Sequence, residues 1–494
     1  MYSHLQKPQR SVTCVPSNNM RTPSRGFMML LALVFGAVFM TVLGALSSVT
    51  LIQNRVQNAA TGRVKAIALA EAGLEYYRWF LAHNPGDVTN GTGAPGPYTF
   101  DYADPDGSTA GSISLEISGQ SYCGQQGSIT IRSTGTPVNE DVSRTLTARY
   151  AQPTVARYSY IVNDSVWAGA DRVISGPYHS NGGVRMDGLT NAPVTSSLST
   201  WTCTSVFGCS SNQTVEGVFG EGPRPDLWSF PAPQLDFAGI AADFASLKAT
   251  AQSNGLYLPR YSTGSTNSAA WDKGYHLIFN ANGTVTVRRV SAASQLYVTP
   301  INSADPNTDR SLINNETEYA NYTISTGCGL IFVEDKVWIE GVIPSKVTVV
   351  AANVADTGIA PSVILKNNIA YAGTSGGLTV ISEHNILIAP DAPAAMNLSG
   401  VFIAQGGAFG RNLYHANNSR NSCHATYEPR SSLTIQGTTV SNKRTGTKWA
   451  GGCGATSGGY QNRTDAYDRR LAGDPPPFTP PVSGDYQFVE WREE

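Results

Sequence analysis

The side chains that could carry chemistry are few and scattered along the sequence. Asp101, Asp104 and Asp106 precede Gly107 and place three carboxylates in one loop, as an oxygen-liganded Ca²⁺ ion requires. Their spacing departs from that of an EF-hand loop, and acidic residues are common in turns. They form a weak candidate Ca²⁺ site, and we expect no other metal and no cofactor.

Two glycine-rich stretches match catalytic or nucleotide-binding patterns without the required context. Residues 373–377 match GxSxG, but a strand-like LTVIS follows where a nucleophile elbow needs a helix. Residues 91–96 match GxGxxG, yet Pro95 and the lack of a βαβ unit indicate a loop. His179 is more typical of a turn or core than of a general base. We therefore predict no enzyme, and a carbohydrate-active β-helix enzyme is the least favoured alternative because residues 330–404 contain few acids.

Cysteine usage indicates an oxidising compartment. Beyond Cys14, six cysteines remain, an even number that favours disulfides, although six cysteines allow 15 pairings. Zinc is disfavoured because no CxxC or paired-histidine spacing is present. Cys203 and Cys209 could close a small loop and Cys423 and Cys453 bracket a polar one, leaving Cys123 and Cys328 as the remainder.

Charge argues against a nucleic-acid partner. Only 14% of residues are Asp, Glu, Lys or Arg, and the net charge is −2. A protein that binds nucleic acid through its phosphates normally carries a basic patch. Abundant Gly, Ser, Thr and Asn, with little helical periodicity after residue 85, instead indicates an exported β-rich protein.

One long apolar segment near the N-terminus predicts on which side of a membrane the rest of the chain lies. Residues 27–54 contain no charged residue, and this length exceeds the roughly 20 apolar residues that span a bilayer. Lys7, Arg10, Arg21 and Arg25 precede it without any acid, which predicts a cytoplasmic N-terminus and an exported remainder. A cleaved secretory signal is disfavoured because its apolar region has only about 7–15 residues. An uncleaved single-span anchor remains open.

The position of Gly26-Phe27, ahead of the apolar run, resembles the type IV pilin class. The segment continues as an amphipathic helix with an apolar stripe that ends at Asn84-Pro85-Gly86, and residues 70–74 (AEAGL) resemble PilX-type minor pilins. The stripe comprises Val56, Ala60, Val64, Ile67, Ala70, Leu74, Tyr77 and Leu81. The resemblance implies that prepilin peptidase cuts after Gly26 and that Phe27 is then methylated.

Leu31 departs from the pilin pattern. In that family the fifth mature residue of a major subunit is a Glu that meets the N-terminal amine of the preceding subunit, and here this position is Leu31. Loss of the Glu accompanies tip subunits and the large pseudopilins of type II secretion. The resemblance therefore implies a minor subunit. Because large pseudopilins bind calcium, it also keeps the Asp101 loop as a candidate.

The exported part begins with a small sheet and continues into a larger β region. Alternating segments at Ser112–Ile117, Ser128–Ser133 and Arg144–Tyr150 predict an antiparallel sheet within residues 97–150, like a pilin head. Residues 158–194 contain short apolar runs around Ile161, Val166, Val173 and Val184. A helical insertion is predicted at about 236–254 with Asp236 as its cap, and Asn282-Gly283 predicts a hairpin with a type I′ turn.

Residues 330–404 contain seven short apolar pulses separated by Gly, Asn, Asp or Pro. Such pulses are typical of a β-solenoid, in which each coil buries its strands on the next, and an antiparallel sandwich is the alternative. The pulses are LIFV, VWI, VTVV, VIL, LTVI, ILI and VFIA. The tail ends in a predicted strand, Tyr486–Trp491, after the proline run Pro475–Pro477, and it resembles the segment that lays the last strand along the body of large pilin-like proteins.

The predicted fold class is mainly β with one long N-terminal α-helix: a pilin-like helix, a small antiparallel sheet, and a large β-rich body with a helical insertion. The predicted divisions are a leader (1–26), a helix (27–84), a head (97–150), a β-rich, solenoid-type body (155–440) and a Cys-containing, Pro-rich tail (441–494).

The predicted function is that of a minor, tip or priming subunit of a type IV pilus-like or type II secretion-like filament. The expected partners are other pilin-like subunits, prepilin peptidase and the inner membrane, with final placement on the pilus or cell surface. Ala32/Gly36 and Gly44/Ser48 are small pairs four residues apart that would let helices approach closely. The alternative is a single-span-anchored surface protein whose β-solenoid binds a glycan or surface.

Overall fold

The computed structural model describes residues 25–261, 273–301, 308–355, 359–416, 422–453 and 456–494. Within them the chain is mainly β and has one long N-terminal helix, which confirms the predicted fold class. Residues 1–24 of the predicted leader, with Cys14, lie outside the described part.

A helix and an antiparallel sheet form the head. The elements are α1 (Arg25–His83), β1 (Tyr98–Ala103), β2 (Thr109–Tyr122), β3 (Gln125–Pro137), β4 (Arg144–Ala151) and β32 (Gln487–Glu493). The order β1-β2-β3-β4 is extended by β32, the last strand of the chain, which pairs antiparallel with β4. The prediction that the last strand lies along the body is therefore wrong, because β32 supplies the backbone partners that the edge of β4 would otherwise lack.

The body is inserted between two neighbouring strands of the head. Its first part consists of short strands that mostly pair in parallel. They are β5 (Tyr160–Val162), β6 (Val166–Ala168), β7 (Arg172–Ser175), β8 (Tyr178–Ser180), β9 (Val184–Met186), β10 (Leu189–Thr190), β11 (Val194–Ser196), β12 (Thr200–Cys203), β13 (Gln213–Glu216), β14 (Val218–Phe219) and β15 (Trp228–Ser229).

A helix and a long hairpin follow. They comprise α2 (Phe244–Asn254), β16 (Leu256–Leu258), β17 (Gly274–Phe279), β18 (Thr284–Thr299) and β19 (Thr308–Thr323). The predicted helix cap is wrong, because Asp243 caps α2 by accepting from the Ala245 and Ser246 N–H groups. Asp236 caps an earlier turn instead, where its side chain accepts from Ala238 N.

The predicted hairpin is present, but its turn differs. Gly283 N donates to Asn280 O. Of Asn282 and Gly283, the two residues predicted to be central in the turn, only Gly283 has positive φ, at 90°. A type I′ turn needs positive φ at both central residues. The turn is therefore a four-residue one from Asn280 to Gly283.

The last part of the body contains strands at each of the seven apolar pulses. Its elements are β20 (Leu330–Val333), β21 (Val337–Ile343), β22 (Lys346–Ala351), β23 (Val363–Tyr371), β24 (Gly377–Ser382), β25 (Ile386–Ile388), β26 (Ala395–Ala404), β27 (Phe409–Gly410), β28 (Leu413–Tyr414), β29 (Arg430–Ser441), β30 (Lys448–Cys453), β31 (Thr456–Ala466) and α3 (Arg469–Gly473).

Three parallel ladders organise these strands. The first runs β16-β20-β22-β24-β26-β29-β5-β8-β11-β15, so the segment after residue 330 stacks onto the segment that starts at Tyr160. The second runs β17-β21-β23-β25-β27. The third runs β26-β29-β31-β7-β10. Every pair within these three ladders is parallel.

The apolar pulses are continuous because both of their faces are covered. Residues from the first and second ladders meet in one core around Trp338, whose Nε1 donates to Ser311 O at 2.7 Å. The outer side of the first ladder is covered by α2 and by the tail through Leu471 and Phe478. Strands buried on both faces read as uninterrupted apolar runs.

Two predictions for the edges of the body need correction. The tail was expected to begin at residue 441, but β31 lies within the third ladder and belongs to the body. Val173 was counted with the apolar runs, yet it is 41% exposed while its neighbour Arg172 is buried. Arg172 pairs with Asp465 at 2.5 Å and lies over the Tyr160 ring, so a charged pair occupies the interior position.

Candidate functional site

The first half of α1 is exposed over its whole surface. Every residue from Gly26 to Thr61 is exposed, a stretch of about 54 Å at 1.5 Å per residue. Within the described residues, α1 is the one helix long and apolar enough to cross a membrane, and none of its most apolar window is buried in the protein. A soluble monomer rarely exposes so large an apolar patch. This half of the helix therefore needs lipid or other protein chains as its surroundings.

The residues singled out for processing and packing lie on this exposed half. The helix begins at Arg25, so the Gly26-Phe27 bond is in its first turn, and the Phe27 side chain is 66% exposed. Leu31 is also exposed, and a Cβ added at Gly36 or Gly44 would meet nothing within 4 Å. The small pairs thus lie on an open surface that another helix can approach.

The second half of α1 packs on the head sheet. Its buried residues contact the inward-facing side chains of β2, β3 and β4; they are Ala66, Leu69, Ala70, Leu74, Tyr77 and Leu81. The predicted apolar stripe is therefore buried only in the part of α1 that follows Ala66. Val56, Ala60 and Val64 are exposed.

Glycines set the close approach of helix and sheet. A Cβ on Gly135 of β3 would lie 2.3 Å from Ala66 O, and a Cβ on Gly73 would lie 2.2 Å from Ser133 Oγ. Neither position can hold a larger residue without moving the helix away from the sheet. Close contact at these two points holds the second half of α1 on the head.

The end of α1 is fixed by a buried tyrosine. The Tyr77 hydroxyl donates to Asp87 O at 2.7 Å, beyond the Asn84-Pro85-Gly86 stop. Burial raises the pKa of Tyr77, so the hydroxyl remains a donor. This contact anchors the chain reversal that leads into β1.

The head and body are joined in three ways. The two connecting segments pair with each other, since Val155 N donates to Pro480 O at 3.0 Å and Val482 N donates to Pro153 O at 2.8 Å. A disulfide joins Cys123, at the β2–β3 turn, to Cys328 in the body. Together these contacts cross the junction at the same end of the head sheet.

Asp474 provides the third connection. Its carboxylate contacts Arg149 of β4 at 2.5 Å and also Lys346 of the body. Burial lowers the pKa of Lys346, and the contact with Asp474 offsets part of that effect. The carboxylate therefore bridges one cation of the head and one of the body.

The other predicted disulfides lie in the body. Cys203 and Cys209 are bonded to each other across a six-residue separation. Cys423 is also disulfide-bonded, while the side chain of its predicted partner Cys453 lies outside the described part.

The weak Ca²⁺ candidate is not assembled. Asp101 lies on β1, whereas Asp106 lies in the following turn and accepts from Ser108 N and Oγ at 2.9 and 2.7 Å. Among the described residues, no group of three or more His, Cys, Asp or Glu side chains could hold a metal ion. Asp104 contributes its backbone to the same turn, which explains why acids cluster there.

His179 and the two glycine-rich motifs lie in turns or in the buried interior. His179 is buried, with Nδ1 2.8 Å from Thr195 Oγ1 and Nε2 3.0 Å from Asn181 Oδ1, and burial lowers its pKa. Residues 372–376 form a turn before β24, and residues 89–94 form turns before β1. Neither glycine motif precedes a helix.

Sequence analysis missed the buried charged groups of the body. His276 on β17 has Nδ1 2.9 Å from Glu316 of β19 and Nε2 2.9 Å from Glu340 of β21. One imidazole ring therefore joins β19 to the second ladder. Arg411 is fully buried, donates to Pro390 O and Tyr427 O, and lies near Glu428. Partners so distant in sequence leave no local signal.

Comparison with known proteins finds similarity among solved structures. No family model and no curated protein matches the chain. Among solved structures, the competence-associated pilin ComZ from Thermus thermophilus matches at 13% identity, covering 88% of this chain and 98% of that chain with a TM-score of 0.32.

Proposed function

We propose that the chain is a subunit of a type IV pilus-like or type II secretion-like filament, built in through α1 and displaying the body outside. The observation that carries this proposal is the division of α1: an exposed half (26–61), apolar from residue 27 to residue 52, continues without a break into a half packed on an antiparallel sheet. A membrane anchor alone would need only about 20 apolar residues and no continuation of its helix onto a sheet. The role is assembly and display, and it includes no catalytic step and no cofactor.

Before assembly, the exposed half of α1 would lie in the inner membrane, with the head and body outside. Inside a filament, the same surface would pack against the helices of neighbouring subunits. The small pairs Ala32/Gly36 and Gly44/Ser48 allow backbones to approach closely in such packing. Prepilin peptidase would cut after Gly26 before the transfer.

Two features support a minor position near the tip. Leu31 stands where a repeating subunit of the pilin class has a Glu, so this chain lacks the carboxylate that would meet a preceding subunit's amine. The body, residues 152–486, is also inserted between β4 and β32. A structure of this size at every position would crowd the neighbours along a filament.

The N-terminus of the mature protein tests this proposal. When the full chain is expressed with a prepilin peptidase, we expect sequencing and intact mass to give a chain that starts at Phe27 with one added methyl group. Gly26→Val should block the cut, whereas the matched control Gly36→Val should be cut normally. A mature chain that starts at Met1 or near Ser48 would contradict the proposal and leave a single-span surface protein as the better reading.

The minor position has its own test. Quantitative mass spectrometry of sheared filaments should find this chain in far fewer copies than the main subunit. A copy number similar to that of the main subunit would place it in the shaft.

A further inference from the structure

The outer face of the third ladder carries a row of uncharged side chains in register. Asn397 of β26 pairs with Thr434 of β29, which pairs with Thr464 of β31. Thr464 in turn pairs with Val173 of β7, and Val173 pairs with Leu189 of β10. Asn397, Val173 and Leu189 are exposed, and the two threonines are half-buried.

On β26, β29 and β31 the flanking positions of the same face are also uncharged. Ser432 and Asn462 lie next to each other on one side of the row, and Ser399 and Gln436 lie next to each other on the other. None of the described residues hydrogen-bonds to the side chains of Thr434, Thr464 or Gln436. These groups are therefore available to an external partner.

Charge is present in these strands but faces inward. Arg463 and Asp465 of β31 and Arg172 of β7 are 9%, 3% and 4% exposed, and they alternate with Thr464 and Val173. Arg463 pairs with Asp171 at 2.8 Å, and Arg172 pairs with Asp465. The alternation of a strand thus separates a charged interior from a neutral outer face.

The face is regular in two directions. Its five strands keep one register throughout, so side chains repeat about every 4.8 Å across the strands and about every 6.6 Å along them. Four such steps across the strands span about 19 Å. A partner that matches this face must itself be extended and repetitive.

We propose that this face binds a neutral polysaccharide whose chains lie across the strands. Amides and hydroxyls both donate and accept hydrogen bonds, as sugar hydroxyls do. Val173 and Leu189, which are 41% and 52% exposed, offer an apolar end for the C–H faces of sugar rings. Because the face lacks charge, it offers nothing to the phosphates of nucleic acid or to acidic polysaccharides.

This inference goes beyond the proposed function, because it concerns what the displayed body contacts and does not require assembly into a filament. Binding is measured on the isolated full chain. Failure of N-terminal processing would overturn the filament proposal and leave this one standing, and the reverse also holds.

A sedimentation assay with insoluble polysaccharides tests the proposal. Detergent-solubilised full chain is mixed with microcrystalline cellulose, chitin particles or calcium alginate beads, at low and high salt. We expect retention on cellulose or chitin that does not weaken at high salt, and none on alginate. Thr434→Lys should reduce retention at least about tenfold, equivalent to about 1.4 kcal/mol. The control Thr317→Lys, on an exposed strand of the hairpin, should leave it unchanged.

A second variant guards against misfolding. Thr434→Val removes only the hydroxyl and keeps the shape, so it should fold and still reduce retention severalfold. Lack of retention on both neutral polysaccharides would overturn the proposal, and so would equal loss with Thr317→Lys. A dimer in solution that Thr434→Lys dissociates would also overturn it, because the face would then bind a second copy of the chain.

Discussion

The two halves of α1 share one continuous helix but differ in what surrounds them. Residues 26–61 are exposed on every side and are the more apolar half, whereas the half from Ala66 to Leu81 is partly charged and buries one face on the head. In a soluble protein the more apolar half would be the buried one. The reversal teaches that the surroundings of the first half are supplied by lipid or by other chains.

The largest expected effect concerns the disulfide that ties the head to the body. Replacing Cys123 and Cys328 with Ser removes a link across 205 residues, and loop-closure entropy predicts a loss of about 5 kcal/mol in unfolding free energy. The same change at Cys203 and Cys209, six residues apart, should cost only about 2 kcal/mol. Denaturant unfolding of both variants measures this difference. Equal losses would show that the length of the closed loop does not determine the loss in unfolding free energy.

The comparison between the two halves is tested directly by one pair of leucines. Leu74→Ala in the packed half empties a site that is 1% exposed and should lower the unfolding free energy by about 2–5 kcal/mol. Leu43→Ala, at a site that is 43% exposed, should leave it nearly unchanged. Thermal unfolding in detergent compares the two. A large effect of Leu43→Ala would mean that the first half also packs within the subunit.

Acid sensitivity should come from the body and leave the packing of α1 unaffected. The hydrogen bond from His276 lowers the pKa of Glu340 below its usual 4.5. The contact therefore stabilises the folded state above that pH, and its contribution is lost as pH falls through the lower folded-state pKa. Glu340→Gln should cost about 1.5–3 kcal/mol near neutral pH and flatten the acid side of the stability profile. An unchanged dependence of stability on pH would show that the His276–Glu340 contact does not contribute to acid sensitivity.

The smallest effect is expected at the boundary between the two halves. Arg63 contacts Glu493 of β32 at 3.0 Å, with both side chains well exposed. Arg63→Ala should therefore cost no more than about 1 kcal/mol, and less in high salt. Urea titrations at two salt concentrations measure this. A larger, salt-independent loss would indicate that β32 holds the middle of α1.

Local patterns predicted the helix and the strands well. The stop at Asn84-Pro85-Gly86 and the seven pulses between Leu330 and Ala404 coincide with elements of the structure, because periodicity and punctuation act over a few residues. Asp236 was mistaken for the cap of α2 because Asp243, seven residues later, offers the same side chain.

The pairing of strands that are distant in the sequence could not be predicted from local patterns. Nothing local indicates that β29 is followed in the stack by β5, or that the last strand completes the head sheet. The buried pair Arg172–Asp465 joins strands almost 300 residues apart, and the sequence pattern counted Val173 among the apolar runs and did not single out Arg172. In the candidate site, residue types alone indicated the Gly26-Phe27 bond and the pairs of small residues on the exposed half of α1. The point where α1 meets the head depended on the contacts of Gly135 and Gly73.

Site-specific photo-crosslinking in assembled filaments tests the central claim most directly. A photo-reactive amino acid replaces Leu43 in the exposed half or, as a control, Trp79, an exposed side chain of the packed half. We predict that the probe at residue 43 links this chain to another pilin-like subunit at high yield, while the probe at residue 79 does so weakly or not at all. Links from residue 43 to lipid alone, with no subunit captured, would contradict assembly through α1.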